Sequence, residues 1–197
     1  MRSPLRRPLL ARTLLAVLPL AALLPLLLVV WPRPAWAAEP SLLRVALIVQ
    51  DAAASMRFYE LLGYRAEMDQ TNPRKPEGNF FPLNVPATQT RLVIMASAGG
   101  DGGRIGLVEF SAPSPADNRR DPERTGRGDP VLVFDVADAE AIHLRLRDAG
   151  VRILEPPQVY ISKKTAADGT PMRGRVFHVR DPDGYLVELL EAPKPAR

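Results

Sequence analysis

The sequence predicts an α+β fold made of two successive modules, each running strand, helix, strand, strand, strand. Three observations carry this. Two helical segments of similar length each follow an apolar strand, open on an aspartate suited to cap a helix and stop at a glycine. The same order of apolar runs and turn signals occurs before and after a polar stretch, Ser111 to Pro130. The chain then closes on two apolar runs joined by Asp181-Pro182-Asp183-Gly184, a tight turn with proline where φ is fixed and glycine where a left-handed residue is cheapest.

In the first module, Leu42 to Val49 reads as a largely buried strand and Ala52 to Leu62 as a helix, with Asp51 as N-cap and Gly63 as stop. Met56, Tyr59 and Leu62 fall near helical spacing and are expected to face the sheet. Tyr64 to Asp69 is the second strand. Thr71 to Gln89, with four prolines, reads as a long loop whose Phe80, Phe81 and Leu83 either close over a cavity or cover a sheet edge. Arg91 to Ser97 and Ile105 to Phe110 complete the module around the turn Gly99 to Gly103.

The second module starts with the strand Val131 to Val136 and the helix Asp138 to Ala149, with Ile142, Leu146 and Ala149 inward and Gly150 as stop. His143 falls on the polar side of that helix. Val151 to Leu154 starts a strand. Gln158 to Gly174 reads as a second long loop, of the length expected of a functional lid or mobile segment. Its Lys163 and Lys164, with Arg173 and Arg175, either attract an anion or simply solvate the loop. Arg175 to Arg180 and Tyr185 to Leu190 form the closing hairpin. Leu107-Val108-Glu109 and Leu186-Val187-Glu188 are the literal trace of the repeat.

Residues 1–37 read as a secretory signal peptide. Arg2 to Arg12 is a charged start, Leu14 to Val30 is strongly apolar, and Ala35-Trp36-Ala37 is a small-x-small cleavage signal. An uncleaved membrane anchor is the competing reading of the long apolar run. Arg6-Arg7 also fits a twin-arginine export signal weakly. The formal charge of +4 follows from this segment. It holds five of the 26 basic residues and no acid, leaving 21 basic against 22 acidic residues in the remainder. A near-neutral remainder argues against a nucleic-acid partner. After signal cleavage no membrane association is expected, and the location is periplasmic or secreted. The chain has no cysteine, so it has neither disulfide nor thiolate ligand.

Three segments resemble the glyoxalase / bleomycin-resistance / extradiol-dioxygenase superfamily, the vicinal oxygen chelate (VOC) fold. The closing stretch Arg175 to Glu191 resembles the family's last hairpin. Val45 to Asp51 with Ser55 to Tyr64 resembles its opening strand and helix. Val131 to Val136 with Ala141 to Val151 resembles the start of its second module. The resemblance covers roughly residues 42–192 and gives module one as about 42–112, the linker as about 113–130 and module two as about 131–192, inside a domain of residues 38–197. It implies that the paired modules curl a mixed sheet around a cavity, and it allows a homodimer.

Leu186, Glu188 and Leu190 share one strand face, and a carboxylate between leucines is costly to bury unless compensated. In the family, one position on the first strand and one on the last strand of each module line a metal. The resemblance carries these to Arg44 and Glu109 in module one, and to Val131 and Glu188 in module two. The histidines usual on the first strands are absent. Arginine is a permanent cation and valine has no donor atom, so the expected cofactor is none. Arg44 is expected to replace the metal's charge between Glu109 and Glu188, or else to lie in solvent. If a divalent metal is bound after all, Glu109, Glu188 and His178 are its candidate ligands.

The catalytic candidates are therefore Glu188 and Glu109, and the ligand-binding candidates Arg44, His178, Phe81 and Tyr160. The expected function is an exported VOC protein that binds a small molecule in the inter-module cavity without a metal. The alternatives are a metal-dependent lyase, isomerase or dioxygenase of the same superfamily, a metal-free enzyme using a glutamate as base, and a protein-binding scaffold.

Overall fold

The computed structural model describes residues 41–75, 81–100, 102–117 and 124–195. Residues 1–37, expected to be a signal peptide, and Phe80 lie outside them. Module one comprises β1 (Val45–Val49), α1 (Ala52–Leu61), β2 (Tyr64–Pro73), β3 (Gln89–Ser97) and β4 (Arg104–Ser111). Module two comprises β5 (Val131–Val136), α2 (Ala139–Asp148), β6 (Gln158–Thr165), β7 (Pro171–Arg180) and β8 (Leu186–Pro195). The sheets have the orders β1-β4-β3-β2 and β5-β8-β7-β6. In each, the first strand runs parallel to the last and the other pairs are antiparallel. The two sheets thus repeat one mixed topology, as expected of paired modules.

Local chemistry sets the elements. Asp51 accepts the N–H groups of Ala53 and Ala54, and Asp138 that of Ala141, which satisfies orphan donors at both helix starts. Gly63 (φ 85°) and Gly150 (φ 75°) take the left-handed residue after each helix, which costs a residue with a Cβ much more. At the β7–β8 turn, Gly184 (φ 82°) returns its N–H to the Asp181 carbonyl over 2.9 Å.

Each helix packs on one face of its own sheet. Phe58 and Tyr59 meet Leu47, Val93, Met95 and Leu107, while Leu146 meets Phe177, Val179, Val187 and Leu189. The cluster is continuous across both modules, and Phe134 of β5 lies against the rings of Tyr59 (6.2 Å) and Tyr64 (5.4 Å). Burying each such side chain stabilises the fold by about 1.5–3 kcal/mol.

Several boundaries differ from expectation. β1 begins at Val45, whose partner is Ile105, and Leu42 and Leu43 are exposed. The buried face of α1 is Ala52, Ser55, Phe58 and Tyr59, with Met56 and Leu62 only partly covered. On α2, Leu146 is buried, Ile142 half-buried and Ala149 exposed, while His143 is half-buried with its ring edge-on to Phe177 at 5.5 Å.

The segment Gln158 to Gly174 is not a lid. It is the β6–β7 hairpin, turned at Asp168-Gly169, with exposed Lys163 and Lys164 on the edge strand. Charged lysines on an edge discourage pairing with another chain. The strand expected at Val151 to Leu154 is reduced to one bridge, Ile153 to Val179, flanked by the bonds Leu154 N–H to His178 carbonyl (3.0 Å) and Arg180 N–H to Arg152 carbonyl (3.2 Å). Pro156 and Pro157 interrupt that edge because they bring no N–H.

Candidate functional site

The strand register fixes which residues correspond between the modules. Val49 pairs with Glu109 three residues before α1 begins, and Val136 pairs with Glu191 three residues before α2 begins. Glu109 therefore corresponds to Glu191, not to Glu188. Both do the same work. Glu109 accepts the Ala52 N–H (3.0 Å) and Glu191 the Ala139 N–H (3.1 Å), each at the first residue of a helix. That Ala139 hydrogen bond holds the Glu191 carboxyl below the usual carboxylate range, and Lys194 and Arg175 add to it.

Glu188 lies on the other face of its sheet. It pairs with Val133 and His178, and its counterpart in module one is Gly106, paired with Ala46. The resemblance carried module one's last-strand position to Glu109, but the register moves it to Gly106, so the four equivalent positions are Arg44, Gly106, Val131 and Glu188. A Cβ on Gly106 would meet Arg44 at 3.4 Å, because the Arg44 side chain runs across it. Arg44 is half-buried and makes no hydrogen bond or ion pair among the described residues. It does not bridge Glu109 and Glu188, since Glu109 is turned to the helix and Glu188 to His178.

Glu188 does acquire partners. Its Oε2 lies 3.2 Å from Nε2 of His178, whose Nδ1 contacts Oε1 of Glu155. These three side chains are 28–39% exposed, so the group opens to solvent. Glu155 carries no signal of its own in the sequence. It reaches His178 only because Leu154 is bonded to the His178 backbone.

A second polar group joins the modules. Asp181 accepts the Tyr59 hydroxyl (2.9 Å) and the N–H groups of Asp183 (3.0 Å) and Tyr185 (2.8 Å). Burial pushes its carboxyl up to about 6, against the pull of those bonds. Burial, reinforced by Asp181, also pushes the Tyr59 phenol up. Asp183 accepts the Gln50 N–H (2.7 Å) and the Ser55 hydroxyl (3.0 Å), and Tyr185 donates to the Ile48 carbonyl (3.1 Å).

Beside this junction opens a cavity of about 1320 Å³, walled by Ile48, Leu83, Arg127, Arg180, Tyr185 and Leu186 among others. It lies at one end of the strand faces that carry Arg44 and Glu188. Ile48 is four residues from Arg44, and Leu186 two residues, roughly 7 Å, from Glu188. Neither Arg44, Glu109, Glu188, His178, Phe81 nor Tyr160 is part of its wall. The Phe81 ring packs on Phe110 at 5.4 Å, and Leu83 packs with Val108 and Phe110 on the face of module one's sheet turned away from its helix, the face of Gly106. Tyr160 lies over Gly174 and donates to the Glu191 carbonyl at 3.3 Å. Lys163, Lys164, Arg173 and Arg175 do not line the cavity either.

Residues 41–189 match the family model of the Glyoxalase/Bleomycin resistance protein/Dioxygenase superfamily. The chain belongs to this superfamily. Solved structures are similar to it, and the first of these supports the fold. A glyoxalase family protein from Bacillus cereus aligns with 22% identity and a TM-score of 0.59, over 78% of this chain and 97% of that one. The trypanothione-dependent glyoxalase I of Leishmania major aligns with 19% identity and a TM-score of 0.49, over 78% and 87%. A glyoxalase family protein from Enterococcus faecalis aligns with 24% identity and a TM-score of 0.48, over 77% and 97%. No curated protein matches the chain.

The superfamily's divalent metal does not fit the positions assigned to it here. Arg44 is a cation, Gly106 and Val131 offer no donor, and Glu188 alone is a ligand of the right kind. Among the described residues no group of three or more His, Asp or Glu is arranged to hold a metal ion. The set Glu109, Glu188 and His178 is not assembled, because Glu109 sits on the helix-facing side of the other sheet.

Proposed function

We propose that this superfamily member is an exported protein that holds a small molecule in the cavity between its modules, without a metal. The observation that carries the reading is the content of the four assigned positions. Arg44, Gly106, Val131 and Glu188 supply one carboxylate where three or four donors are needed. The cavity supports it with apolar walls, Ile48, Leu83 and Leu186, and with a few convergent polar groups, Arg127, Arg180 and Asp183. Opposite charges in that wall favour an uncharged or zwitterionic ligand over a strongly anionic one. Export rests on the three-part pattern of residues 1–37.

Elemental mass spectrometry of the purified protein tests the reading, together with melting curves in added Zn, Ni, Mn or Fe. The expected result is no stoichiometric metal and no stabilisation by any of them. About one metal ion per chain, retained through purification, overturns it in favour of a metal-dependent enzyme.

A further inference from the structure

We propose that Glu155, His178 and Glu188 form a metal-independent proton-transfer site that interconverts the keto and enol forms of a small apolar carbonyl compound. The inference rests on the small-molecule reading proposed above and adds chemistry beside that cavity, on the strand face that shares Leu186 with its wall. A neutral imidazole has one N–H and one lone pair. With Nδ1–H given to Glu155, the lone pair of Nε2 faces the Glu188 carboxyl at 3.2 Å. Two acceptors that close are satisfied by one proton between them, so an acid and a base stand side by side on neighbouring strands.

Keto–enol interconversion needs such a pair. The α-carbon that loses a proton and the oxygen that gains one are separated by a single carbon. With the shared proton on Glu188, Nε2 takes the α-hydrogen, breaking the C–H bond and forming N–H. Glu188 gives its proton to the carbonyl oxygen, which becomes the enol hydroxyl. The imidazolium then returns a proton to the Glu188 carboxylate, and the cluster is restored with no net gain or loss. Glu155 acts as the positioning residue, held by the Leu154 to His178 backbone bond and the Ile153–Val179 bridge.

The surroundings select an apolar substrate body. Register puts Val131, Val133, Leu186 and Leu190 on the face of Glu188, and Val131 and Val133 are 41% and 58% exposed. Leu186 belongs to both this face and the cavity wall.

The probe is cyclohexanone in deuterated water, followed by NMR on the purified protein. Saturation transfer reports contact, and loss of the α-proton signals reports exchange. The expected exchange is roughly 100-fold faster than with imidazole at equal concentration, the scale of a positioned base. His178→Gln and Glu188→Gln should fall to the imidazole rate with melting temperatures retained. Glu155→Gln should keep part of the rate and move its pH dependence, which a merely structural contact would not do. Contact without accelerated exchange, or exchange unchanged in His178→Gln, overturns proton transfer and leaves the pocket standing. Absence of contact overturns both the substrate class and this placement of it.

Discussion

Tyr59 of α1 donates its hydroxyl to Asp181 of the β7–β8 turn over 2.9 Å, and both side chains are shut off from water. One belongs to each module, so the bond is part of what makes two repeats a single body. Tyr59→Phe keeps the ring packing but leaves a buried carboxyl with one donor fewer. The expected loss is about 1–3 kcal/mol. It should be larger at pH 7 than at pH 5, because the hydroxyl supports the charged form of Asp181. Denaturant melts of the variant at both pH values check this.

Asp181 makes stability fall as pH rises. Its carboxyl titrates at about 6 in the folded protein, against 3.8 for an unperturbed aspartate. Between those values the folded state binds the proton and the unfolded state does not. The stabilisation is complete below about pH 4 and lost through pH 6, on the order of 3 kcal/mol. Glu191 and Asp69 are shifted the other way, by the Ala139 N–H and by Arg91, and their contribution is lost only as pH falls below the ordinary carboxylate range. Melting temperature should therefore be higher at pH 5 than at pH 7. Asp181→Asn should flatten the difference, since the amide still accepts the turn's N–H groups. A slope that survives in Asp181→Asn would place its origin elsewhere.

Glu109 and Glu191 are expected to behave as twins. Replacing either by alanine removes a charged acceptor from a helix's first N–H and should cost about 1–2 kcal/mol. Glutamine, which still accepts, should cost less. The two helices share no partner of these carboxylates, so the double variant should be additive within about 0.5 kcal/mol. Strong non-additivity would mean that the carboxylates do meet through something other than their helices.

That twinning shows where sequence stops being legible. Capping aspartates, stop glycines and the Asp181 to Gly184 turn carry their own chemistry, and the structure places both helices and the hairpin close to where those residues set them. The literal match of Leu107-Val108-Glu109 with Leu186-Val187-Glu188 misleads, because the true register is displaced by three residues to Leu189-Leu190-Glu191. Strand side chains alternate, so an odd displacement moves Glu109 to the opposite face from Glu188. No local pattern reveals this, since each strand alternates acceptably either way. Glu155 is illegible for another reason: its partner is 23 residues away, across an edge broken by two prolines. The β6 strand was hidden by its lysines, although Val159, Tyr160, Ile161 and Thr165 are good strand formers.

Arg44 separates the two accounts of this site. If its guanidinium neutralised two buried carboxylates, removing it would cost 3–5 kcal/mol, the scale of a broken buried pair. Among the described residues it has no such partner, and it lies along the backbone of Gly106. Arg44→Ala should therefore change stability by no more than about 0.5–1 kcal/mol, mostly through lost packing of its methylenes. The arginine's charge still stands on the strand face that continues to the cavity, four residues from Ile48. Its loss should accordingly register in ligand affinity and its salt dependence before it registers in the melt. A large drop in melting temperature would restore a carboxylate partnership for Arg44 and require the two strand faces to be closer than their register alone implies.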